Sequence, residues 1–214
     1  MSANAASPRR PFRFSLRAML ILVALVALVL GWVHSARDQR QAAARLQKSN
    51  PSAALVYDYE VGVDGRLKRS AKPPGPGWLR ERWGVDYLAT VVGADMFYAT
   101  DADLQYLARL PNLRRLNLAR SVDVTDAGLA HLEGLKHLKL LVLDDADQVT
   151  DRGLRSLGRL KRLAHLRLDV GRRMTPAGIE QLKRDLPSCR IEIDGLDQRD
   201  PALAGVFIAK TMAR

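Results

Sequence analysis

Side chains suited to polar recognition recur every 25 residues, in three columns in the middle of the chain. The first column contains Thr90, Arg115, Leu140, His165 and Arg190. The second column contains Val92, Asn117, Val142, Arg167 and Glu192. The third column contains Ala94, Ala119, Asp144, Asp169 and Asp194. Because guanidinium and carboxylate groups form charge-assisted hydrogen bonds, we predict a protein-binding face made by the members of these columns from Arg115 onward.

The three aspartates of the third column need a compensating group. On neighbouring parallel strands, Asp144, Asp169 and Asp194 stand about 4.8 Å apart and repel one another unless a cation, an arginine or local N–H groups compensate. Two interpretations remain open. In the first, each aspartate accepts N–H groups of its own loop. In the second, the aspartates form a polar recognition strip with the arginine and histidine side chains of the other columns.

Residue patterns that support catalysis or metal binding are lacking in the sequence. There is no nucleophile motif, phosphate-binding loop or metal-ligand spacing, and the four histidines are scattered. The one cysteine, Cys189, excludes a disulfide framework and stands near a leucine column, so we expect a small buried apolar residue there. We therefore expect no enzymatic activity, no cofactor and no bound metal.

The net charge of +11 is distributed unevenly along the chain. Residues 1–99 hold 14 Lys/Arg against 7 Asp/Glu, residues 100–198 hold 17 against 15, and residues 199–214 hold 3 against 1. A nucleic-acid-binding domain concentrates its basic residues on the folded surface. Here most of the excess flanks an apolar N-terminal segment, so we expect no nucleic-acid partner.

The columns belong to four rows that begin at Thr100, Thr125, Thr150 and Thr175. The rows read TDADLQYLARLPNLRRLNL, TDAGLAHLEGLKHLKLLVL, TDRGLRSLGRLKRLAHLRL and TPAGIEQLKRDLPSCRIEI. A period between about 20 and 29 residues with leucines in fixed columns is the pattern of a leucine-rich-repeat solenoid. The predicted fold is therefore α/β, a short horseshoe arc with parallel strands on its concave face and helices on its convex face.

The elements of each row follow from its residue types. Pro176 occupies the second place of the last row, and proline is favoured at the first position of a helix. Thr175, like the threonines that begin the other rows, is therefore a predicted N-cap. Aspartate follows the other three threonines, in the first turn, where the helix dipole favours negative charge. Leucine at alternating places of a later segment, such as Leu141 and Leu143, predicts a strand.

Residues 78–99 are predicted to be a degenerate first unit that covers the end of the core. Three of them stand one period before leucines of the next row: Leu88, Val91 and Gly93. A solenoid needs an atypical end unit, and the large side chains of Trp78 and Trp83 are suited to covering exposed apolar surface.

The segment from Ala18 to Ala36 contains no formal charge, and as a helix it spans about 28 Å, close to the thickness of the hydrocarbon core of a bilayer. Arg17 and Trp32 suit the two interfaces. We predict an uncleaved signal anchor; a signal peptide cleaved near Ser35 and a buried soluble helix are the alternatives. A short arginine-rich tail stays in the cytoplasm whereas long domains translocate, so the predicted orientation is N-terminus inside and repeats outside.

Between this segment and the repeats, the sequence predicts a β-hairpin. Residues 54–63 are rich in Val and Tyr, and Asp64-Gly65 is a strong hairpin turn. We expect the hairpin to pack against the front of the solenoid, because an isolated hairpin is marginally stable.

The predicted boundaries are 1–17 for a basic disordered tail, 18–36 for the transmembrane anchor, 37–50 for a helical stalk, 51–77 for the hairpin and a Pro/Gly linker, 78–198 for the leucine-rich-repeat domain, and 199–214 for a C-terminal tail or capping helix.

The rows resemble the cysteine-containing and ribonuclease-inhibitor-like leucine-rich repeats found in F-box adaptor proteins. The whole layout resembles membrane-anchored bacterial leucine-rich-repeat proteins of the planctomycete type. The matching stretches are RFSLR at 13–17, YDYE at 57–60 and PPGPGWLRERWG at 73–84. The resemblance implies the architecture and says little about function. No F-box-like helical segment precedes the repeats, so a ubiquitin-ligase role does not carry over.

Two functional hypotheses follow from the sequence. The first is a membrane-tethered protein–protein interaction module whose partner is a protein of unknown identity. The alternative is a structural or envelope-organising protein that acts by weak self-association.

Overall fold

A computed structural model describes residues 16–62, 66–68, 71–169 and 171–194. The helices are α1 (Leu16–Ser49), α2 (Gly77–Trp83), α3 (Asp101–Leu107), α4 (Asp126–His131), α5 (Asp151–Leu157) and α6 (Pro176–Asp185). Short 3-10 helices span Asp58–Glu60, Val85–Tyr87 and Leu132–Gly134. The strands are β1 (Ala54–Tyr57), β2 (Val91–Phe97), β3 (Arg115–Ala119), β4 (Leu140–Leu143), β5 (His165–Asp169) and β6 (Arg190–Asp194).

The strands form one mostly parallel sheet in chain order, β1 to β6, in which only the β1–β2 pair is antiparallel. From β3 onward the register follows the sequence period: Arg115 pairs with Leu140, Leu140 with His165, and His165 with Arg190. Each of these steps is 25 residues. The protein is therefore an α/β structure in which one sequence period adds one strand and one helix.

The leucine columns form one continuous hydrophobic core. Leu116 and Leu118 of β3 are fully buried, as are Leu141 and Leu143 of β4, while the residues between them in each strand are partly or fully exposed. Leucines of the helices, such as Leu104 of α3, belong to the same buried cluster. The sheet thus packs one face against the helix layer, as expected for strands with alternating apolar residues.

The first unit does not keep the 25-residue step. The columns placed Thr90, Val92 and Ala94 one period before the outward residues of β3. In the structure those neighbours of β3 are Gly93, Asp95 and Phe97. The step is shorter because Ala94 and Met96, both fully buried, enter the core beside leucines of β3. The register predicted for this unit is therefore wrong by three residues.

Threonine begins each of the helices α3 to α6, and the four predicted N-caps are confirmed. The side chains of Thr125, Thr150 and Thr175 each accept a hydrogen bond from a backbone N–H in the first turn of their own helix. These bonds satisfy donors that a helix start otherwise leaves open.

The aspartate after each threonine links one unit to the next. Asp126 accepts the backbone N–H of Thr150 at 2.8 Å and the Thr150 hydroxyl at 2.6 Å. Asp101 binds Thr125, and Asp151 binds Thr175, through the same pair of bonds at the same distances. Each carboxylate is thus held by the helix start of the following unit, and the helices stack at a fixed spacing.

The link between units restricts the size of the residue three places after each threonine. It is glycine in three units, and a Cβ at Gly128, Gly153 or Gly178 would overlap the carboxylate that comes from the preceding unit. In the row that begins at Thr100 the same place is Asp103, which is buried. Asp103 itself accepts the N–H and the hydroxyl of Thr100, each at 3.0 Å, in place of a carboxylate from residues 78–99.

Helix α1 covers the first unit of the core. Its buried residues, which include Ala42 and Leu46, lie in its C-terminal half, and this half packs against α3. Ser49 at its end donates a hydrogen bond of 2.5 Å to Asp103. The segment expected to be a stalk is thus part of the folded structure.

Trp78 and Trp83, which were expected to cover the core, are instead 68% and 43% exposed. That prediction is wrong, because the small residues of α1 approach the first unit closely and already fill the place.

The predicted hairpin region divides into two parts. Ala54–Tyr57 pairs with β2 at the edge of the sheet, and a 3-10 helix follows it. An isolated antiparallel bridge joins Val61 to Leu67, and the turn expected at Asp64-Gly65 lies outside the described residues. The tail at 1–15, most of the basic tail predicted at 1–17, and the C-terminal segment predicted at 199–214 lie outside them as well.

Replacing Asp126 with Asn tests the link between units. The amide keeps the size of the carboxylate but removes its charge and one acceptor, so we expect a loss of about 2 kcal/mol in the free energy of unfolding. The measurement is chemical denaturation of the full chain in detergent micelles, followed by circular dichroism. Asp123→Asn, an exposed side chain in the preceding loop, is the matched control and should change stability by less than about 0.5 kcal/mol. Equal stability of the two variants would contradict the link.

Replacing Gly153 with Ala tests the packing of the same carboxylate. In an exposed helix this change stabilises by up to about 1 kcal/mol, but here the methyl group meets Asp126 and Leu129. We expect a loss of about 1–3 kcal/mol instead. Gly134→Ala, where no atom lies within 4 Å of the added Cβ, should be neutral or stabilising in the same denaturation experiment. A stabilised Gly153→Ala variant would show that the carboxylate does not occupy this place.

Candidate protein-binding face

The sheet leaves one face uncovered by the helix layer, and most of the predicted binding residues lie on it. We call this the open face. It carries the outward residues of β3 to β6: Arg115, Asn117, Leu140, Val142, His165, Arg167, Arg190 and Glu192. Since the register of β3 to β6 is the predicted one, the first two columns form straight rows across four strands.

The third column lies at the end of the strands. Ala119, Asp169 and Asp194 are the last residues of β3, β5 and β6, and Asp144 directly follows β4. Asp169 and Asp194 are paired neighbours in the sheet. The three aspartates therefore stand along one rim of the open face, as the period requires.

An arginine of the middle column compensates two of these carboxylates. Arg167 donates from Nε to Asp194 Oδ2 at 2.7 Å. This hydrogen bond and the nearby charge of Asp144 raise the pKa of the Arg167 guanidinium, which stays charged at every physiological pH. Arg190 and Glu192 form a second exposed pair at 2.9 Å. Exposed pairs of this kind contribute little to stability, so these side chains can change partners at little cost in free energy.

Asp95 was not among the predicted site residues. Because the first unit is shifted by three residues, Asp95 pairs with Asn117 in the middle column and lies 3.6 Å from the Arg115 guanidinium. Oδ1 of Asp95 and Oδ1 of Asn117 are buried and have no hydrogen-bond partner among the described residues. The first unit thus brings an additional acidic side chain to the open face.

Three residues that follow β2, β3 and β4 form a further element that sequence reasoning missed. Tyr98, Arg120 and Asp145 all have positive φ angles, between 52° and 59°, although none is glycine. This conformation is uncommon for residues other than glycine, and among them asparagine, aspartate and histidine adopt it most often. Tyr98 is 61% exposed, and its hydroxyl accepts a hydrogen bond from Arg120 at 3.3 Å. That bond raises the pKa of Arg120. The rim therefore holds an aromatic, a basic and an acidic side chain outward.

A half-open hollow of about 460 Å³ adjoins the other rim of the open face. It lies between β1 with its following loop and the first outward positions of β2 to β4, and its lining includes Val56, Leu67, Gly93, Arg115 and Leu140. Apolar walls beside an arginine suit the insertion of a partner side chain.

Groups for other chemistry are not assembled in the described part of the chain. No three His, Cys, Asp or Glu side chains there are arranged to hold a metal ion. The side chains of His131, His137 and His165 are exposed. Cys189 is half-buried rather than fully buried, and packs against the core, where burial raises the pKa of its thiol.

No protein-family model matches this chain, and no curated protein matches it. The proposed function therefore rests on the geometry above.

The reactivity of Cys189 is a direct test of its packing. A raised pKa leaves less thiolate at any pH below it, and the thiolate is the reactive form. We expect the native chain to react with a disulfide reagent more slowly at neutral pH than the chain unfolded in denaturant. The pH at which the native rate reaches half of its maximum should be correspondingly higher. Equal rates in the two states would contradict the packing.

Proposed function

We propose that the protein is a membrane-tethered leucine-rich-repeat solenoid that binds a protein partner through its open face. The observation that carries the proposal is the 25-residue register of β3 to β6, which aligns the outward side chains of four strands in straight columns. A repeated strand in constant register presents an extended recognition surface, which is the way solenoid proteins bind their partners.

The pattern of contacts supports a solenoid. The helices touch in chain order, α3 with α4, α4 with α5, and α5 with α6, just as the strands pair in chain order. In a solenoid each unit contacts its immediate neighbours, and atypical end units close the core. Helix α1 and strand β1 fill that role at the first unit. The proposed relationship to membrane-anchored leucine-rich-repeat proteins of the planctomycete type is consistent with this layout.

The N-terminal half of α1 supports the membrane tether. The helix contains an 18-residue apolar window of which no residue is buried, and it is long enough to cross a bilayer. An exposed apolar surface of this size is unfavourable in water, so it needs a lipid environment. We propose that it acts as a single anchor with the N-terminus in the cytoplasm and the repeats on the other side.

The composition of the open face supports recognition of a protein. Arginines, carboxylates, the apolar Leu140 and Val142, and the hollow beside them make a mixed surface with no dominant charge. Mixed polar contacts around a small apolar centre are typical of protein interfaces. The exposed ion pairs Arg167–Asp194 and Arg190–Glu192 offer groups of both signs to a partner.

The proposal is tested by photo-crosslinking in native membranes. A photoreactive residue at position 142, in the centre of the open face, should crosslink a partner protein, whereas the same residue at position 130, which is exposed on helix α4, should not. Replacing Arg167 and Asp169 together with alanine should abolish the crosslink at position 142 without lowering the melting temperature. Arg155→Ala, which removes an arginine from the helix layer, is the matched control and should leave the crosslink unchanged.

Two results would count against this function. Crosslinks of equal yield from positions 142 and 130 would show that the open face is not selective. A product with twice the mass of the chain from position 142 would instead favour the alternative, a structural protein that acts by self-association.

A further inference from the structure

Helix α1 crosses the folded part from one edge to the other. The Gln39 side chain accepts the N–H of Val91, at the start of β2, at 3.1 Å and donates to the carbonyl of Ala89 at 2.9 Å. At the other end of α1, Asn50 donates to the carbonyl of Phe97, at the end of β2, at 2.9 Å. The helix therefore runs alongside β2 in the same direction. We call the two edges of the parallel sheet the strand-start edge and the strand-end edge.

The apolar half of α1 projects beyond the strand-start edge. Trp32, near the end of the apolar segment, contacts Tyr87 with ring centroids 6.1 Å apart. Val33 is the first half-buried residue of α1, and Ala36 the first buried one. Three residues of helix measure about 4.5 Å, so no spacer separates the apolar segment from the folded part.

The two edges carry opposite charge. Three segments that lead from a helix, or from the 3-10 helix Leu132–Gly134, into the next strand are 108–114, 135–139 and 158–164; they contain no Asp or Glu and lie at the strand-start edge. Their basic residues are Arg109, Arg114, Lys136, Lys139, Arg159, Lys161 and Arg162.

The segments that follow β3 and β4, with the first turns of α3, α4 and α5, lie at the strand-end edge. Their acidic residues are Asp101, Asp103, Asp123, Asp126, Asp144, Asp145, Asp147 and Asp151, and Arg120 is their only basic residue apart from Arg152 in the first turn of α5. Placing basic residues at helix ends and acidic ones at helix starts suits the helix dipole, and from α3 to α5 it gives the folded part a basic edge and an acidic edge. The segment after β5 departs from this pattern, because it carries Arg172 and Arg173.

Some basic side chains of the basic edge contact other residues of this chain, and the edge stays basic nonetheless. Arg159 pairs with Glu133 at 2.6 Å, Lys161 donates to the carbonyl of Asp185 at 2.9 Å, and Arg162 contacts the ring of His137 at 3.1 Å. Only the first of these partners carries a full negative charge.

Exposed aromatic rings lie at the same edge. Tyr87 precedes β2 and touches both Trp32 and Trp83, the latter with ring centroids 5.7 Å apart. Trp78, on the same short helix as Trp83, is 68% exposed. Tryptophan and tyrosine are enriched at the level of lipid headgroups.

We infer that the strand-start edge lies against a bilayer surface that contains anionic lipids, with Trp78 and Trp83 at headgroup level. The inference rests on the membrane tether proposed above and adds to it the orientation of the repeats and the charge of the lipid. Basic residues held within a few ångströms of a membrane are attracted to anionic headgroups. The acidic edge, with the exposed Tyr98, Arg120 and Asp145, then points away from the membrane. The open face, which lies between the two edges, is then roughly perpendicular to the membrane plane and accessible to a partner.

Tryptophan quenching in vesicles tests this orientation with the full chain. The vesicles contain phosphatidylcholine brominated near the headgroup end of its acyl chains, with or without phosphatidylglycerol. Variants with one tryptophan each, the others being replaced by phenylalanine, report on separate places: Trp32 on the tether, Trp78 on the basic edge, and the substitutions His137→Trp and Gln148→Trp on the basic and the acidic edge of the next units. His137 and Gln148 are both exposed, so these two form a matched pair.

We expect bromolipid to quench Trp32, Trp78 and the tryptophan of His137→Trp, and to leave that of Gln148→Trp unchanged. Phosphatidylglycerol should increase the quenching of the His137→Trp variant, and Lys136→Glu with Lys161→Glu should remove that increase. Quenching of Trp32 without quenching of Trp78 and of His137→Trp would overturn the inference while the tether stands. Equal quenching of His137→Trp and Gln148→Trp would overturn the orientation, and no effect of phosphatidylglycerol would overturn the part played by lipid charge. Absence of quenching at Trp32 would overturn the tether, and the inference with it.

Discussion

The hydrogen bonds between the first-turn carboxylate of one helix and the threonine that begins the next set the geometry of the whole structure. Asp126 illustrates the arrangement, since it accepts the N–H and the hydroxyl of Thr150 and also the N–H of Gly153. A single carboxylate thus fixes the start of the next helix in both position and direction. Because helix and strand alternate within each unit, fixing the helix starts also fixes the strand register. The straight columns of the open face are a consequence of this link.

Both ends of the row of linked helices can be recognised from three positions of each row: the threonine, the residue after it and the residue three places after it. Asp103 replaces the glycine of the other units, and it supplies from within its own helix the acceptor that a preceding unit supplies elsewhere. Pro176 replaces the linking aspartate in the last row, so that α6 has no carboxylate at this position for a further threonine. The departures at Asp103 and Pro176 thus indicate where the chain of linked helices begins and ends. From the sequence, the aspartates were expected to act as favourable charges in the dipole of a single helix. The link between two helices could not follow from that expectation, because it concerns one helix at a time.

The predictability of the open face depended on how many registers a segment allows. Arg115, Leu140, His165 and Arg190 follow leucine columns that fit a single alternation, and their alignment could be predicted. Residues 91–97 read VVGADMF, in which apolar residues occupy both alternating sets. Pairing with β1 on one side and burial of Ala94 and Met96 on the other decide which alternating set faces the core. Neither of these contacts follows from the 25-residue period. The pairing of Arg167 with Asp194 rather than with its own strand's aspartate, and the positive φ angles of Tyr98, Arg120 and Asp145, depend in the same way on tertiary geometry.

Helix α1 has two halves with different surroundings, and their order along the chain bears on the proposed tether. Residues 18–32 of α1 are exposed and carry no charge or polar side chain, whereas Ala36, Ala42 and Leu46 are buried against the first unit. Removing the apolar half near Ser35 would leave in place the buried residues that cover the core, and it would remove the contact between Trp32 and Tyr87. Removing the chain up to Asn50 would instead expose the apolar side of α3 and would leave Asp103 without Ser49. The residues that cover the core and the residues of the proposed anchor therefore share one helix, and they occupy separate stretches of it.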